Sequence, residues 1–292
     1  MTALIQCFFA LVSAQQAELV SPLGKSLFAE PDAKGAVAKA DAALAADPAN
    51  LDLLLAAARA RDELWRYSEA IQLYTRGIEK APEDFRFYRF RGHRYISTRQ
   101  FDKALPDLDK AWKLAPTSFD VAYHLGLAHY MLGRYDRAAE AYGRCLDQAG
   151  RPATGPKLPE GFRSCAESVA DDNARVSITE WQYRALRRAG RAEDAKKLIE
   201  SITDGMKVTT NDIYYRSLLV YRGLRTEEQV FDPTKLTGNQ LPTLGYALAN
   251  YHLLEGRKQK ACELFRRMVE EKAWSAFGYI AAEAELVRGT CR

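Results

Sequence analysis

The 292-residue sequence lacks several features that would assign it to a class at once. No apolar run reaches the roughly 18 residues that a membrane-spanning helix needs, so the sequence predicts no ordinary transmembrane helix. Charge is nearly balanced, with 42 Lys plus Arg against 38 Asp plus Glu, so net charge does not predict nucleic-acid binding. There is no long low-complexity tract, and a hydrophobic content of 47% excludes a wholly disordered chain.

Familiar catalytic and cofactor-binding motifs are missing as well. The sequence has no H-E-x-x-H, no G-x-S-x-G, no Walker loop and no G-x-G-x-x-G. Histidines number only four, and His124 and His129 lie about 140° apart around a helix, which does not suit a helical metal pair. We therefore expect a protein that is not an enzyme and that needs no metal or cofactor.

The N-terminal segment contains no Lys or Arg, although it includes a short apolar run. Ala3–Val12 is apolar and is followed by small residues around Ala14, which resembles a signal peptide without its usual Lys or Arg. If Met1–Ala14 or residues 1–17 are cleaved, the protein is expected to be periplasmic or secreted. If this segment is instead an N-terminal capping helix, the protein is expected to be cytoplasmic.

Cysteines are few, and none forms a C-x-x-C pair, so zinc or thioredoxin-like chemistry has no support. Four would remain after loss of Cys7, an even number that permits disulfides in an exported chain. We expect a Cys145–Cys165 bond, because the insert between these residues must turn back towards the preceding helix. Cys262 and Cys291 are a weaker second pair, since Cys291 lies on a tail, and Cys145 could instead be a buried thiol.

What the sequence does contain is a 34-residue period. Each period predicts two helices: small residues allow close packing of the pair, and a proline stops the second helix. One helix pair cannot bury its apolar face alone, so successive pairs must stack into an α-solenoid. The repeat positions are Ala58, Gly92 and Gly126 in the first helices, Ala70, Ala104 and Ala138 in the second, and Pro82 and Pro116 after them.

The period and these small, aromatic and proline positions resemble the tetratricopeptide repeat family, most clearly over residues 51–150. The resemblance implies an all-α, right-handed solenoid of stacked helix–turn–helix pairs that binds proteins without catalysis. The C-terminal segment is similar to uncharacterised bacterial members. The expected organisation is a candidate signal peptide (1–17), a degenerate leading repeat (33–50), three repeats (51–150), a Pro/Gly-rich insert (151–172), and diverged repeats with a capping helix (173–292).

A basic segment, Phe85–Phe101, contains five arginines and no acidic residue. In the family, the first helix of each pair lines the concave surface, and arginine suits carboxylates or phosphates. The resemblance therefore implies a groove for a protein or peptide partner, with an acidic segment as one candidate; a solvated helix face with packed arginine stems is the alternative. The groove residues would be Arg59, Arg86, Arg89, His93, Tyr123, Leu127 and Tyr130.

Some family members hold a chaperone tail through a two-carboxylate clamp of Lys, Asn and Arg. The corresponding inner positions here include Leu55, Phe90 and Asp120, so the Lys and Asn are missing and that ligand is not implied. Two other functions remain open: a cytosolic accessory subunit of an enzyme complex and, less favoured, a nucleic-acid-binding helical repeat protein.

Overall fold

The computed structural model describes residues 16–155 and 157–292, and the candidate signal segment lies almost wholly outside them. Among the described residues, no helix is long and apolar enough to cross a membrane. The strands are β1 (Leu19–Val20) and β2 (Ser26–Leu27), which pair as an antiparallel hairpin. The helices are α1 (Ala36–Ala46), α2 (Leu51–Asp62), α3 (Tyr67–Lys80), α4 (Phe85–Ser97), α5 (Phe101–Leu114), α6 (Phe119–Met131), α7 (Tyr135–Leu146), α8 (Cys165–Val169), α9 (Asp172–Arg188), α10 (Ala192–Leu198), α11 (Asp212–Tyr221), α12 (Glu227–Val230), α13 (Gln240–Leu254), α14 (Lys258–Met268) and α15 (Phe277–Val287).

The helices form a repeat solenoid in which α2–α3, α4–α5 and α6–α7 are successive pairs. Side chains cap the first helices of two pairs: Asn50 accepts from the N–H groups of Asp52 and Leu53 at the start of α2, and Asp84 accepts from that of Arg86 at the start of α4. Helix ends coincide with the repeating prolines, because Pro82 and Pro116 directly follow the C-caps of α3 and α5. The helices of each pair therefore begin and end in step with the 34-residue period.

The small repeat positions are where paired helices come closest. Ala58, Ala70, Ala104 and Ala138 are completely buried. A Cβ atom on Gly126 would lie 2.3 Å from the Tyr142 ring, and one on Gly92 would lie 2.7 Å from Leu108. No side chain fits at either glycine without displacing its neighbour, so glycine is what allows these pairs to pack.

The turns between paired helices share one backbone feature. Gly133, Gly190 and Gly256 adopt left-handed conformations with φ of 73°, 78° and 76°. The equivalent positions in the first two complete repeats are Trp65, with φ 57°, and Arg99, with φ 62°. A non-glycine residue in this region carries backbone strain, so these two turns require compensating contacts.

Those contacts come from the C-terminal part of the chain, which returns to the first repeats. The Trp65 and Trp274 rings meet edge to face at 5.4 Å, and Arg99 Nε donates to Glu283 Oε2 at 2.7 Å. Trp274 Nε1 also donates to the carbonyl oxygen of Phe28 beyond the hairpin, at 2.9 Å. α15, where the sequence predicts a capping helix, packs on α13 and α14, and it also reaches α6 and so closes the solenoid on itself.

The Pro/Gly-rich insert folds back through a short backbone pairing. Cys165 N donates to Thr117 O at 2.7 Å, and Ser118 and Ser164 form an antiparallel bridge. This pairing places Cys165 beside α7, where it forms a disulfide with Cys145 at a Cα–Cα distance of 4.9 Å. A second disulfide joins Cys262 and Cys291 at 5.6 Å, so α14 holds the C-terminal tail. All four cysteines that follow the N-terminal segment are thus paired.

Candidate binding pocket on the concave face

The lower part of the expected groove is closed by the chain's own helices. Tyr123 is mostly buried, and its hydroxyl lies 3.2 Å from that of Tyr214 on α11. Leu127 and Tyr130 are completely buried, and the Tyr130 hydroxyl accepts from Tyr246 on α13 at 2.9 Å. The expectation that these three residues face an open groove is therefore corrected, because α11 and α13 pack over them.

Arg86 also leaves the expected groove. Its guanidinium pairs with Asp84 at 2.7 Å and with Asp52, one repeat earlier, at 2.7 Å. The hydrogen bond with Asp84 raises the pKa of this arginine, although burial opposes the effect. Arg86 thus links α2 and α4 and is not available to a partner in the way that the sequence predicts.

The remaining predicted residues, Arg59, Arg89 and His93, lie in one pocket of about 450 Å³. One wall is the inner face of α2 and α4. The opposite wall comes from α11, the start of α13 and the segment that leads into α15. The pocket is also lined by Arg94 and Phe277, so it combines three arginines, a histidine and several aromatic rings.

Arg59 is the accessible arginine of this pocket. It is exposed, and its guanidinium carbon lies 5.4 Å from the centroid of the Phe90 ring. Within residues 16–155 and 157–292 its guanidinium makes neither a hydrogen bond nor an ion pair, so the side-chain donors are available to a ligand. Phe90 is in turn packed by Phe162 of the insert at 5.9 Å, which fixes the platform under Arg59.

Arg89 and Arg94 are buried and only partly paired. Arg89 Nη2 donates to Asp120 Oδ1 at 2.8 Å, and Arg94 Nε lies 3.6 Å from Asp62 Oδ1. The Nε group of each arginine is buried and has no hydrogen-bond partner. Burial lowers the pKa of Arg89, with Asp120 opposing it, but a guanidinium remains charged at neutral pH. Two buried cations therefore keep unused donors beside the pocket.

The acidic residues of the pocket offset this charge only in part. Asp62 Oδ2 accepts from the Tyr74 hydroxyl at 2.6 Å, and burial raises the pKa of Asp62. Glu63 stands at the exposed rim. The three guanidinium groups thus face the buried Asp62, whose charged form burial disfavours, the solvated Glu63, and Asp120, which is already paired with Arg89. The unpaired donors of Arg59 are what suit the pocket to an anion.

His93 and His124 stack against each other beneath the arginines, with ring centroids 4.2 Å apart. His93 Nδ1 lies 2.5 Å from Arg94 Nη2, which must donate, so Nδ1 is unprotonated. His124 Nδ1 lies 2.6 Å from the Asp120 carbonyl, so this nitrogen donates. Burial, assisted by Arg94 for His93 and Arg89 for His124, holds both pKa values well below their usual range. Both rings are therefore neutral at pH 7.

The C-terminal wall adds an aromatic ring and a helix start. Phe277 lies 5.2 Å from His93 and 5.7 Å from His124, measured between ring centroids. α15 begins at Phe277, and its N-cap Ala276 lines the pocket without giving a side-chain cap. The uncapped first turn contributes a further partial positive charge to this side of the pocket.

Sequence reasoning missed Arg94, Asp62 and Phe277. Arg94 belongs to the basic segment Phe85–Phe101, and the arginine content of that segment was a usable signal. The helical spacing, however, assigned Arg86 to the groove in place of Arg94. Phe277 had no signal, because it reaches the pocket only through the closure of the solenoid. Across the part of the chain that the structure describes, no group of three or more His, Cys, Asp or Glu side chains could hold a metal ion.

Two family models described as tetratricopeptide repeat match the chain, over residues 27–93 and 91–153. The chain is 34% identical over 88 residues to Small glutamine-rich tetratricopeptide repeat-containing protein 2 of Saccharomyces cerevisiae, covering 30% of this chain and 25% of that protein. It is 32% identical over 126 residues to the heat-shock protein cognate co-chaperone sgt12 of Aspergillus fumigatus, covering 40% and 36%. The chain thus spans only about a quarter to a third of these relatives.

A similar solved structure is a tetratricopeptide repeat protein from Parabacteroides merdae. It is 14% identical, covers 84% of this chain and 90% of its own, and has a TM-score of 0.48. The matched models begin before the first complete predicted repeat and end in the insert, so they include all three helix pairs α2–α3, α4–α5 and α6–α7. Residues 27–153 of the chain therefore match the tetratricopeptide repeat family.

Proposed function

We propose that this chain is a scaffold for protein interactions and that it binds a short acidic segment of a partner in the concave pocket. The observation that carries the proposal is the set of three arginines, of which Arg59 has no ion pair among the described residues. The planar guanidinium of arginine can donate two parallel hydrogen bonds to a carboxylate. These charge-assisted hydrogen bonds are stronger than hydrogen bonds between neutral groups. An Asp or Glu side chain is the simplest protein group that meets these donors.

The shape of the pocket supports a short segment and not a long helix. In an open repeat solenoid, an extended groove can take a helix or a strand along several repeats. Here Tyr123, Leu127 and Tyr130 are covered by α11 and α13, so the accessible surface is limited to the pocket. A chain end or a loop of the partner could enter, with an aromatic or aliphatic residue beside Phe90 or Phe277.

The relatives are consistent with this general role. The Aspergillus fumigatus relative is named as a co-chaperone, a class that works through contact with other proteins. The specific partner proposed here rests on the arginines of this chain and is not taken from the relatives. The positions that correspond to the two-carboxylate clamp hold Leu55, Arg59, Phe90, Asp120 and His124, so the Lys and Asn of that clamp are missing. If the chain is instead an accessory subunit of an enzyme complex, it would use the same pocket. The two functions are distinguished by whether the proteins that it captures are the other subunits of an enzyme.

We also propose that the protein works in an oxidising compartment, either periplasmic or extracellular. Both disulfides are of the kind that persists outside the cytosol, and together they use all four cysteines beyond the N-terminal segment. N-terminal sequencing of protein from the native host tests this proposal. A mature chain that begins near residue 15 or 18 supports it, and one that retains Met1 or Thr2 contradicts it.

A peptide-binding experiment tests the pocket. Short acetylated and C-terminally amidated peptides that contain Asp, Glu and one Phe are titrated into the labelled full chain, with fluorescence anisotropy as the readout. Arg59→Ala should weaken binding by roughly tenfold or more, because a charge-assisted hydrogen bond contributes about 1.5–3 kcal/mol. Arg59 is exposed, so the variant should remain folded.

Arg76→Ala is the matched control, because Arg76 is an exposed arginine on α3 that does not line the pocket. It should leave peptide affinity unchanged. Equal weakening by both substitutions would show general charge attraction and would contradict the proposal. Repeating the two titrations at higher salt sharpens the comparison, since nonspecific attraction between exposed charges is screened first.

A further inference from the structure

We propose that His93 takes up a proton when a carboxylate enters the pocket, so that acid strengthens binding. This inference rests on the proposed function and describes the regulation of the same site. It starts from a geometric fact: the unprotonated Nδ1 of His93 is occupied by Arg94 Nη2 at 2.5 Å, and Arg94 lines the pocket that would hold the ligand.

The empty pocket disfavours a proton on His93. The ring is packed between His124 and Phe277, so water solvates it poorly. The nearest charges on its own helix are the cations Arg89 and Arg94, and burial together with Arg94 lowers the pKa of His93 well below its usual range. The charged or titratable groups around the ring and its pocket are Arg89 and Arg94 from α4, His124 and Asp120 from α6, Arg59 and Asp62 from α2 with Glu63 at its C-cap, Tyr67 from α3 and Tyr214 from α11.

The nearby carboxylates do not already supply a compensating charge. Asp120 is committed to Arg89, and its carbonyl accepts from His124 Nδ1. Asp62 lies against Arg94 and accepts from Tyr74, and its own charged form is disfavoured by burial. His93 therefore lacks an anionic partner among the described residues, and an incoming carboxylate would be the first.

A bound carboxylate changes both causes of the low pKa. It places a negative charge beside the ring, which favours the imidazolium form. It also competes for the donors of Arg94, and once Nη2 turns to the ligand, Nδ1 of His93 is free to accept a proton. The pKa of His93 in the complex is therefore higher than in the free protein.

The sign of the pH effect follows directly. At a pH above both pKa values His93 is neutral in the free and bound states, and affinity is independent of pH. As pH falls through the higher pKa of the complex, the complex gains a proton and affinity rises by up to about tenfold per pH unit. The increase ends where the free protein also becomes protonated.

Isothermal titration calorimetry tests the inference with the tightest-binding acetylated, amidated acidic peptide on the intact full chain. Between about pH 5.5 and 8, Asp and Glu side chains of the peptide stay ionised, so proton uptake belongs to the protein. We expect affinity to increase as pH falls, and the observed enthalpy to differ between buffers of different ionisation enthalpy. The buffer dependence should report uptake of up to one proton per peptide.

His93→Gln replaces the titrating ring with a neutral side chain that can accept from Arg94. Whatever its affinity at pH 8, this variant should lose the pH dependence of binding and the proton uptake. His129→Gln is the matched control, because His129 lies on α6 outside the pocket, and this variant should behave like the wild type. Thermal melting of each variant shows whether it is folded.

Two results would overturn the inference in distinguishable ways. Peptide binding with a flat pH profile, or with an unchanged profile in His93→Gln, would remove the linkage and leave the proposed function intact. Absence of binding at every pH would remove the proposed function, and the linkage with it.

Discussion

The first two complete repeats differ from the third in one residue of their turns. In the third, Gly133 takes the left-handed conformation without strain and has open space around it. In the first two, Trp65 and Arg99 take the same conformation with a Cβ atom, which costs on the order of 1 kcal/mol each. Both of these side chains contact the returning C-terminal segment.

This difference indicates that the residues in the strained turns are needed for contact with the C-terminal segment, which closes the solenoid. A glycine would satisfy the backbone at either position, but it could not reach Trp274 or Glu283. Arg99 additionally donates to the carbonyl oxygens of Ser97 and Trp274, so its whole guanidinium is used. The local cost is therefore offset by contacts between parts of the chain more than 170 residues apart.

Arg99→Ala should give the largest loss of stability. It leaves Glu283, which is completely buried, without its cationic partner, and breaking such a pair typically costs about 3–5 kcal/mol. Chemical denaturation measures this loss. Arg134→Ala removes the arginine beside Gly133, whose ion pair with Asp102 is exposed, and it should change stability by less than about 1 kcal/mol. Similar losses of stability for Arg99→Ala and Arg134→Ala would contradict the proposed difference between the turns.

Removing the Cys145–Cys165 disulfide should cost about 3 kcal/mol, because it opens a loop of 20 residues in the unfolded chain. The change is Cys145→Ala with Cys165→Ala, and the readout is the melting temperature under oxidising conditions. Wild type treated with a reductant should approach the double variant. Free thiols at both positions in unreduced protein, detected by mass spectrometry, would contradict the bond.

Gly126→Leu should destabilise the protein by roughly 1–3 kcal/mol, since the added side chain collides with the Tyr142 ring. This substitution tests the packing of the two helices within one repeat, and its effect does not depend on the contacts that close the solenoid. Gly133→Ala is a control in the same repeat: it meets no neighbour, and only its left-handed backbone opposes the change. A wild-type melt for Gly126→Leu would show that the repeat register is wrong.

The smallest expected effect is a difference in stability between two substitutions at Trp65, which separates backbone strain from the loss of the side-chain contact. Trp65→Gly and Trp65→Ala both lose the ring contact with Trp274, but only glycine also relieves the left-handed backbone. Trp65→Gly should therefore be more stable than Trp65→Ala by about 1 kcal/mol. Denaturation midpoints compare the two variants, and a reversed order would mean that the turn is not strained.

Much of the solenoid was predictable from the sequence because its information is periodic. The positions of Ala70, Ala104 and Ala138, and the prolines that follow α3 and α5, recur at a fixed interval that neighbouring helices impose on each other. The cysteine pairing was predictable for a local reason, namely that an insert must return to the helix from which it leaves.

The closure and the pocket were not predictable in the same way. The contacts of Trp274 with Phe28, of Glu283 with Arg99, and of Phe277 with His93 join single side chains at unrelated spacings. No periodicity encodes them, so the groove was expected to be open over Tyr123, Leu127 and Tyr130. Arg59, Arg89 and His93 were found because they belong to the repeated inner face.

The bond from Trp274 to Phe28 spans 246 positions of the sequence, and its effect on folding reaches well beyond one hydrogen bond. An open repeat array has only neighbour contacts, so its ends can unfold while its middle remains folded. In this chain the C-terminal segment contacts the first repeats, so loss of any one repeat should also weaken the contact between the first repeats and the last. Hydrogen exchange should therefore find similar opening free energies at α3 and α14, as in a single cooperative unit. The same long separations raise the contact order, so this chain should fold more slowly than an open array of equal length.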